Sequence, residues 1–414
     1  MFCLFLHSEL LHMKVFFRRI HLYLSLAAGL VILICCLTGA ILVFEKDLQM
    51  AFNKDRYYVK AEGESQSLDV LAAGIKQQFP EMKINSVKTY AALDRSVEFS
   101  IAPGGKQAQK SGTPAKQEAA KTKTPAPKQP GFTIFVNPYS GEILEKYSYR
   151  ETFFYQVFAL HRWLLGGEGS IGKLIVGIST FIFLFILLTG IILWWPKTKK
   201  ILKQRLTVKW DANWKRVNHD FHMVFGFYSA IFLFIFAFTG LAWSFEWFNE
   251  GIYKVTNSPL KAAPPPKSIY IAEAKKISLD AALTSAKTVY AEASFYTISL
   301  PKDATDPVSV SALRLNPAHE SATDAVYIDQ YSGAVLGQLP FEQRSLGAKT
   351  RSYFKPVHTG SIWGTPSKIL AFIVCLLGVT FPITGVIMWI NRTRKPRKGK
   401  ATSKKPVKEE AAMI

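Results

Sequence analysis

Four stretches of this 414-residue chain, residues 22–44, 174–195, 223–245 and 369–390, each run 22 or 23 residues without a single Asp, Glu, Lys or Arg. At about 1.5 Å of rise per residue, a helix of that length crosses a hydrocarbon core roughly 30 Å thick. A charge at mid-bilayer is costly, and a spanning segment must satisfy its backbone hydrogen bonds internally. Each run therefore predicts a transmembrane helix, and the chain a multi-pass membrane protein.

The net charge of +21 is segregated rather than spread. With both termini cytoplasmic, the inside segments are residues 1–20, 196–218 and 391–414. They hold 20 Lys/Arg and four acids, so +16 of the total lies in 67 residues. This is the positive-inside pattern, and the basic segments read as topology and contact with anionic membrane lipid, not as nucleic-acid binding. Trp194, Trp195, Trp243, Trp247 and Trp389 stand at the ends of the apolar runs, where amphipathic rings favour the interface. The expected order is a cytoplasmic segment 1–20, helix 21–45, outer loop 46–160, helix 161–195, basic loop 196–218, helix 219–245, outer loop 246–357, helix 358–390 and basic tail 391–414. No small-residue cleavage site stands out after the first run, which reads as an uncleaved anchor, with Met13 a plausible alternative start.

The chain also repeats itself, which has to be settled before any motif is interpreted. Every apolar run contains a Thr-Gly step: Thr38-Gly39, Thr189-Gly190, Thr239-Gly240 and Thr384-Gly385. Residues 136–144 read VNPYSGEIL and residues 328–336 read IDQYSGAVL, each a strand, a turn that wants positive φ at glycine, and a second strand. Ser67-Leu68-Asp69 and Ser278-Leu279-Asp280 look like serine-capped helix starts. The predicted fold is thus an all-α membrane four-helix bundle with two α+β extracytoplasmic loop domains, made by internal duplication. Residues 103–130, rich in Lys, Pro, Gln, Ala and Gly with one acid and no aromatic, read as a disordered insertion in the first loop. Pro264 to Pro266 read as a stiff spacer. Cys35, Cys36 and Cys375 lie in spans and Cys3 near the start, so no disulfide framework supports the loops.

Four of the eight histidines occupy matched places in the repeat. His21 and His222 each precede a Thr-Gly step by seventeen residues, at the cytoplasmic ends of odd-numbered spans. His161 lies 28 residues before Thr189 and His358 lies 26 before Thr384, both on the outer side. Neutral imidazoles at one depth on facing helices are what six-coordinate haem iron takes, and bundle interiors are where such sites are built. His21 with His222 would hold an inner haem b and His161 with His358 an outer one. Two axial histidines leave no open position, so the expected chemistry is electron transfer across the bilayer. Arg18, Arg19 and Arg162 adjoin these histidines as partners for haem propionates. The alternative is four interfacial histidines with no ligand, since duplication copies a structural residue as readily as a functional one. His219, three residues before His222, shares its helical face as a supporting group or an alternate ligand. His319, His7 and His12 read as ordinary surface residues.

GEGSIG at residues 167–172 matches a dinucleotide-binding string but precedes a span and follows no strand, and the GxxxG at 360–364 sits before a span rather than within one. Both are set aside. NHDFHMVFG at residues 218–226, LHRWLL at 160–165, VHTGSIWG at 357–364 and the two Tyr-Ser-Gly turns together resemble the PepSY-associated transmembrane helix proteins, often called iron-regulated membrane proteins. The resemblance covers nearly the whole chain and implies PepSY-like loops, a bacterial inner membrane and haem ligation by His21, His161, His222 and His358. Members of that family include haem b reductases of ferric siderophores. The insertion departs from the pattern. The resemblance implies reduction of an outer acceptor such as ferric siderophore iron, fed by a cytoplasmic or quinol donor. Two other readings stand beside it: a non-redox module binding an extracytoplasmic peptidase, and a component of iron-complex uptake.

Overall fold

The computed structural model describes residues 2–104 and 131–394, with side chains from Met13 onward. The expected insertion from residue 105, the basic tail beyond Arg394, and the side chains of Cys3, His7 and His12 lie outside the described residues. Along the chain, α1 (Phe2–Val43) carries the first apolar run and is followed by α2 (Glu45–Phe52) and the single turn α3 (Lys54–Tyr57). The first loop then folds as α4 (Leu68–Gln78), β1 (Met82–Tyr90), β2 (Val97–Pro103), β3 (Phe132–Val136) and β4 (Ile143–Tyr147). A short helix, α5 (Phe153–Trp163), leads into the second span, α6 (Ile171–Trp194). After α7 (Lys199–Arg205) the third span is α8 (Trp214–Ser244), followed by α9 (Glu246–Val255). The second loop repeats the first with α10 (Leu279–Val289), β5 (Ala293–Ser299), β6 (Val308–Arg314), β7 (Asp324–Ile328) and β8 (Val335–Leu339). Another short helix, α11 (Leu346–His358), leads into the fourth span, α12 (Thr365–Thr393).

The four long helices are α1, α6, α8 and α12, each long and apolar enough to cross a membrane. They close into a ring, with α1 and α8 each packed against both α6 and α12. Ala28, Ile32, Leu233 and Val374 meet at its centre. The helices extend past the uncharged runs, because residues such as Lys215, Arg216 and Arg392 at their ends can reach polar surroundings. Cys35, Cys36 and Cys375 are free thiols within the ring.

The two loops are not separate modules. Their strands join into one eight-stranded antiparallel sheet in the order β4-β3-β2-β1-β5-β6-β7-β8, with β1 and β5 paired from Ser86↔Ser299 to Tyr90↔Phe295. Each four-stranded unit would otherwise expose the edge of its first strand; pairing β1 with β5 satisfies both edges at once. α4 and α10 lie side by side on one face and share a continuous core with Val87, Phe99, Ile101, Ile298, Val310 and Val326. Burying side chains of this kind stabilises by about 1.5–3 kcal/mol each. The serine caps form as the sequence predicts: Ser67 accepts from the Val70 N–H at 3.2 Å and Ser278 from the Ala281 N–H at 3.1 Å. Gly141 and Gly333 both take φ +76° in the Tyr-Ser-Gly turns.

His319 corrects the sequence reading. It is 4% exposed, not a surface residue. Its Nδ1 accepts from the Ser321 N–H at 3.1 Å, its Nε2 meets Ser352 Oγ at 3.1 Å, and the Tyr353 ring lies 4.3 Å away. The polar stretch around it folds back onto α11, a long-range packing that local composition does not reveal.

Candidate functional site

All four matched histidines lie inside the ring, and each meets the same kind of socket. His21 on α1 places Nδ1 3.1 Å from Thr189 Oγ1 on α6. His161, in the last turn of α5, places Nδ1 2.9 Å from Thr38 Oγ1 on α1. His222 on α8 reaches Thr384 Oγ1 on α12 at 2.7 Å, and His358, the last residue of α11, reaches Thr239 Oγ1 on α8 at 3.1 Å. The glycine after each threonine faces the same ring. A Cβ on Gly190, Gly39, Gly385 or Gly240 would lie 3.4, 3.5, 3.6 or 3.2 Å from the Cε1 of His21, His161, His222 or His358 respectively. The Thr-Gly steps that mark the repeat are therefore histidine seats: the threonine bonds Nδ1 and the glycine leaves room for the ring.

Local sequence explains how two of the rings arrive there. α5 and α11 are short helices capped by Thr152 and Ser345, and each ends just before a tight turn into its span. The turns need glycine. A Cβ on Gly172 would lie 1.9 Å from the Trp163 carbonyl oxygen, and one on Gly360 would lie 2.6 Å from the Ala371 Cβ. Gly172 belongs to the GEGSIG string and Gly360 to the GxxxG string, so both motifs serve a close chain reversal that brings a histidine back over the bundle.

Along α1, His21 and Thr38 are seventeen residues apart, which puts the two histidine levels about 25 Å apart at the helical rise. The outer rings, on the side of the sheet, have centroids 6.2 Å apart. A metal–imidazole bond is about 2 Å long and the ligating nitrogen lies about 1 Å from its ring centre, so two imidazoles across one metal ion stand roughly 6 Å apart. The outer pair fits that spacing. The inner pair, His21 and His222, lines a cavity of about 790 Å³, within the range of roughly 300–1,000 Å³ common for cofactor pockets. Small residues one and two turns after each inner histidine, Ser25 and Gly29 on α1 and Gly226 and Ala230 on α8, line the same cavity. Their small side chains leave room beside the rings. The inner cavity thus fits a haem, and the outer pair has the ring spacing that one needs.

The basic groups divide less simply than the sequence suggests. Arg18 lines the inner cavity, with Arg205, Lys215 and Arg392, which sequence reasoning did not single out. Arg19 is exposed and is not part of the cavity wall. At the outer level Arg162 donates to the Trp243 carbonyl at 3.3 Å. Arg351, also unforeseen, lies 4.6 Å over the Trp243 ring, which in turn is 5.4 Å from the His358 ring. His219 lines the mouth of the inner cavity and pairs through Nδ1 with Asp220 at 3.2 Å; it has no Thr-Gly seat.

A family model described as the PepSY-associated TM region matches residues 18–392. The chain belongs to the PepSY-associated TM region family. The match takes in all four spans, the whole eight-stranded sheet and every seated histidine. No curated protein matches this PepSY-associated TM region chain. What sequence reasoning missed in this PepSY-associated TM region was the partner of each histidine: the steps seventeen residues after His21 and His222 are Thr38 and Thr239, which seat His161 and His358, so that spacing marks the repeat and not the seat.

Proposed function

We propose that the protein carries electrons across the bacterial inner membrane through two bis-histidine b-type haems and delivers them to an extracytoplasmic acceptor, ferric siderophore iron. The observation that carries this reading is the fourfold histidine seat, arranged as two facing pairs at two depths. His21 and His222 hold the inner group, His161 and His358 the outer one. Haem supplies reversible one-electron exchange at its iron. The chain's part would be to bind and orient it: the paired imidazoles would hold the iron, Arg18 and Lys215, which line the inner cavity, and Arg162 and Arg351, which stand beside the outer pair, would meet the propionates. Apolar walls such as Phe183 and Phe381 keep the inner cavity low in polarity, which tunes the potential of a bound cofactor.

On the positive-inside reading the sheet lies outside, over the outer pair, where it would position the acceptor. One electron converts ferric to ferrous iron, and Fe(II) is a poorer match than Fe(III) for hard oxygen ligands, so reduction releases it. The chain has no nicotinamide- or flavin-binding motif, so the donor is a quinol or a cytoplasmic carrier reaching the basic side. A dithionite-reduced minus oxidised visible spectrum of purified protein, with haem counted per chain, tests the reading. Low-spin b-type bands with about two haems are expected. His21→Ala or His222→Ala should remove one haem, and His161→Ala or His358→Ala the other. A colourless protein from haem-replete cells overturns it.

A further inference from the structure

Each seat threonine has one hydroxyl hydrogen, and each spends it on its own helix. Thr38 donates to the Ile34 carbonyl, Thr189 to Phe185 and Thr239 to Ile235, all at 2.7 Å, and Thr384 donates to Thr380 at 2.9 Å. Such back-bonding is common for threonine in helices. It leaves the threonine oxygen as an acceptor, so the hydrogen in the contact with histidine must come from Nδ1. Two contacts make the same demand independently. His21 Nδ1 also lies 3.1 Å from the Ile186 carbonyl and His358 Nδ1 lies 2.9 Å from the Phe236 carbonyl, and a carbonyl only accepts. His319 gives the opposite case: its Nδ1 accepts from a backbone N–H, while Ser352 has given its own hydrogen to the Lys349 carbonyl, so His319 carries its proton on Nε2.

We propose that Thr38, Thr189, Thr239 and Thr384 are positioning residues that fix the Nδ1–H tautomer of four ligand histidines, and that the inner haem level pairs one histidine held by two acceptors, His21, with one held by a single acceptor, His222. The proposal rests on the haem reading for its functional consequence. At the inner level His21 meets the Ile186 carbonyl as well as its threonine while His222 meets Thr384 alone; at the outer level both rings have a carbonyl besides the threonine, Phe236 for His358 and Cys35 for His161. A fixed Nδ1–H leaves the Nε2 lone pair bare for the metal, and its hydrogen bond makes Nε2 a stronger donor. Removing a sole acceptor frees the ring to turn and weakens the ligand; removing one acceptor of two leaves the carbonyl in place.

The test compares Thr384→Val with Thr189→Val in the full chain, using haem content and redox titration of each haem, and Thr384→Ser as rescue. Thr384→Val should weaken haem retention at the inner level about tenfold or more and raise the potential of the haem that remains there, leaving the outer haem unchanged. Thr189→Val, at the same level, should do clearly less, and Thr384→Ser should return the wild-type potential. Equal effects of Thr384→Val and Thr189→Val, or an unmoved potential in both, overturn the proposal. In haem-free protein labelled with ¹⁵N-histidine, nuclear magnetic resonance should show Nδ1–H at the four seats and Nε2–H at His319. This arm separates the two readings. If the wild-type protein binds no haem, Nδ1–H signals at the seats still uphold the role of the threonines, and Nε2–H signals there overturn it.

Discussion

Asp69 and Asp280 cap each other's helices. The carboxylate of Asp280 accepts the N–H groups of Leu68 and Asp69 at 3.0 and 3.1 Å, and that of Asp69 accepts those of Leu279 and Asp280 at 3.0 and 3.1 Å. With Ser67 and Ser278 on the third N–H of each helix, the first turns of α4 and α10 are satisfied across the seam between the two repeats. Negative charge is also favourable at a helix N-terminus. The exchange ties the two halves of the sheet domain together at their helices as β1 and β5 do at their strands.

Asp69→Ala is therefore expected to lower the local stability of the α10 start by about 1–2 kcal/mol, while Asp280→Ala does the same to α4. Amide hydrogen exchange resolved by segment reads this directly. Unchanged protection at residues 279–281 in the Asp69→Ala protein would contradict the cross-capping.

Acid should loosen the sheet domain in two stages. Burial holds the His319 imidazole below its ordinary value, so the fold favours its neutral form. Its contribution is complete above the unfolded value of about 6.5 and falls away as pH drops below that. Burial opposes the charge on Asp69, but the N–H donors of Leu279 and Asp280 outweigh it and keep the carboxyl below its ordinary range. That contribution is present above about pH 4 and is lost as pH falls toward the folded value. His319→Gln should remove the first stage and leave the second. Near-ultraviolet circular dichroism against pH checks both; a single stage in the wild-type protein would sink this account.

Glycine substitutions should separate the seats from ordinary helix positions. Gly240→Ala puts a methyl 3.2 Å from His358 Cε1, and on the proposed haem reading displacing that ring should weaken haem retention at the outer level about tenfold. Gly74→Ala, exposed on α4 with nothing within 4 Å of the new methyl, should stabilise the fold by about 0.5–1 kcal/mol with no change in haem content. Haem-to-protein ratios and thermal midpoints of the two variants decide the matter.

Loss of Arg351 tests the outer basic pair. Arg351→Ala removes the guanidinium over Trp243 and its 2.7 Å bond to Asn249. On the proposed haem reading the potential at the outer level should then fall, since a nearby cation favours the reduced, less positive state. A potential equal to that of the wild type would show that this arginine serves only to pack α9 against α11.

Much of the architecture was legible in the chain. Uncharged runs mark spans because the cost of burying charge in hydrocarbon is local to the run and needs no knowledge of neighbours. The serine caps and the Tyr-Ser-Gly turns are equally local, set by a side-chain oxygen three residues from its donor and by the backbone freedom of one glycine. The matched histidines could be picked out because duplication preserves spacing. Other features could not be read this way. The Thr-Gly steps were visible as a repeat, yet their role depends on Thr38 meeting His161 and Thr189 meeting His21 across separate helices. His319 looked exposed because the residues around it are polar; its burial comes from α11, some thirty residues on.

Four spans, a twofold repeat and the matching of the histidines follow from hydropathy and from the copying of local patterns. The joining of two loops into one sheet, the exchange of caps between Asp69 and Asp280, and the oxygen that holds each imidazole emerge only on folding. Those are contacts between segments far apart in the chain. Their partners are selected by how helices pack and strand edges pair, and no local window of sequence carries that information.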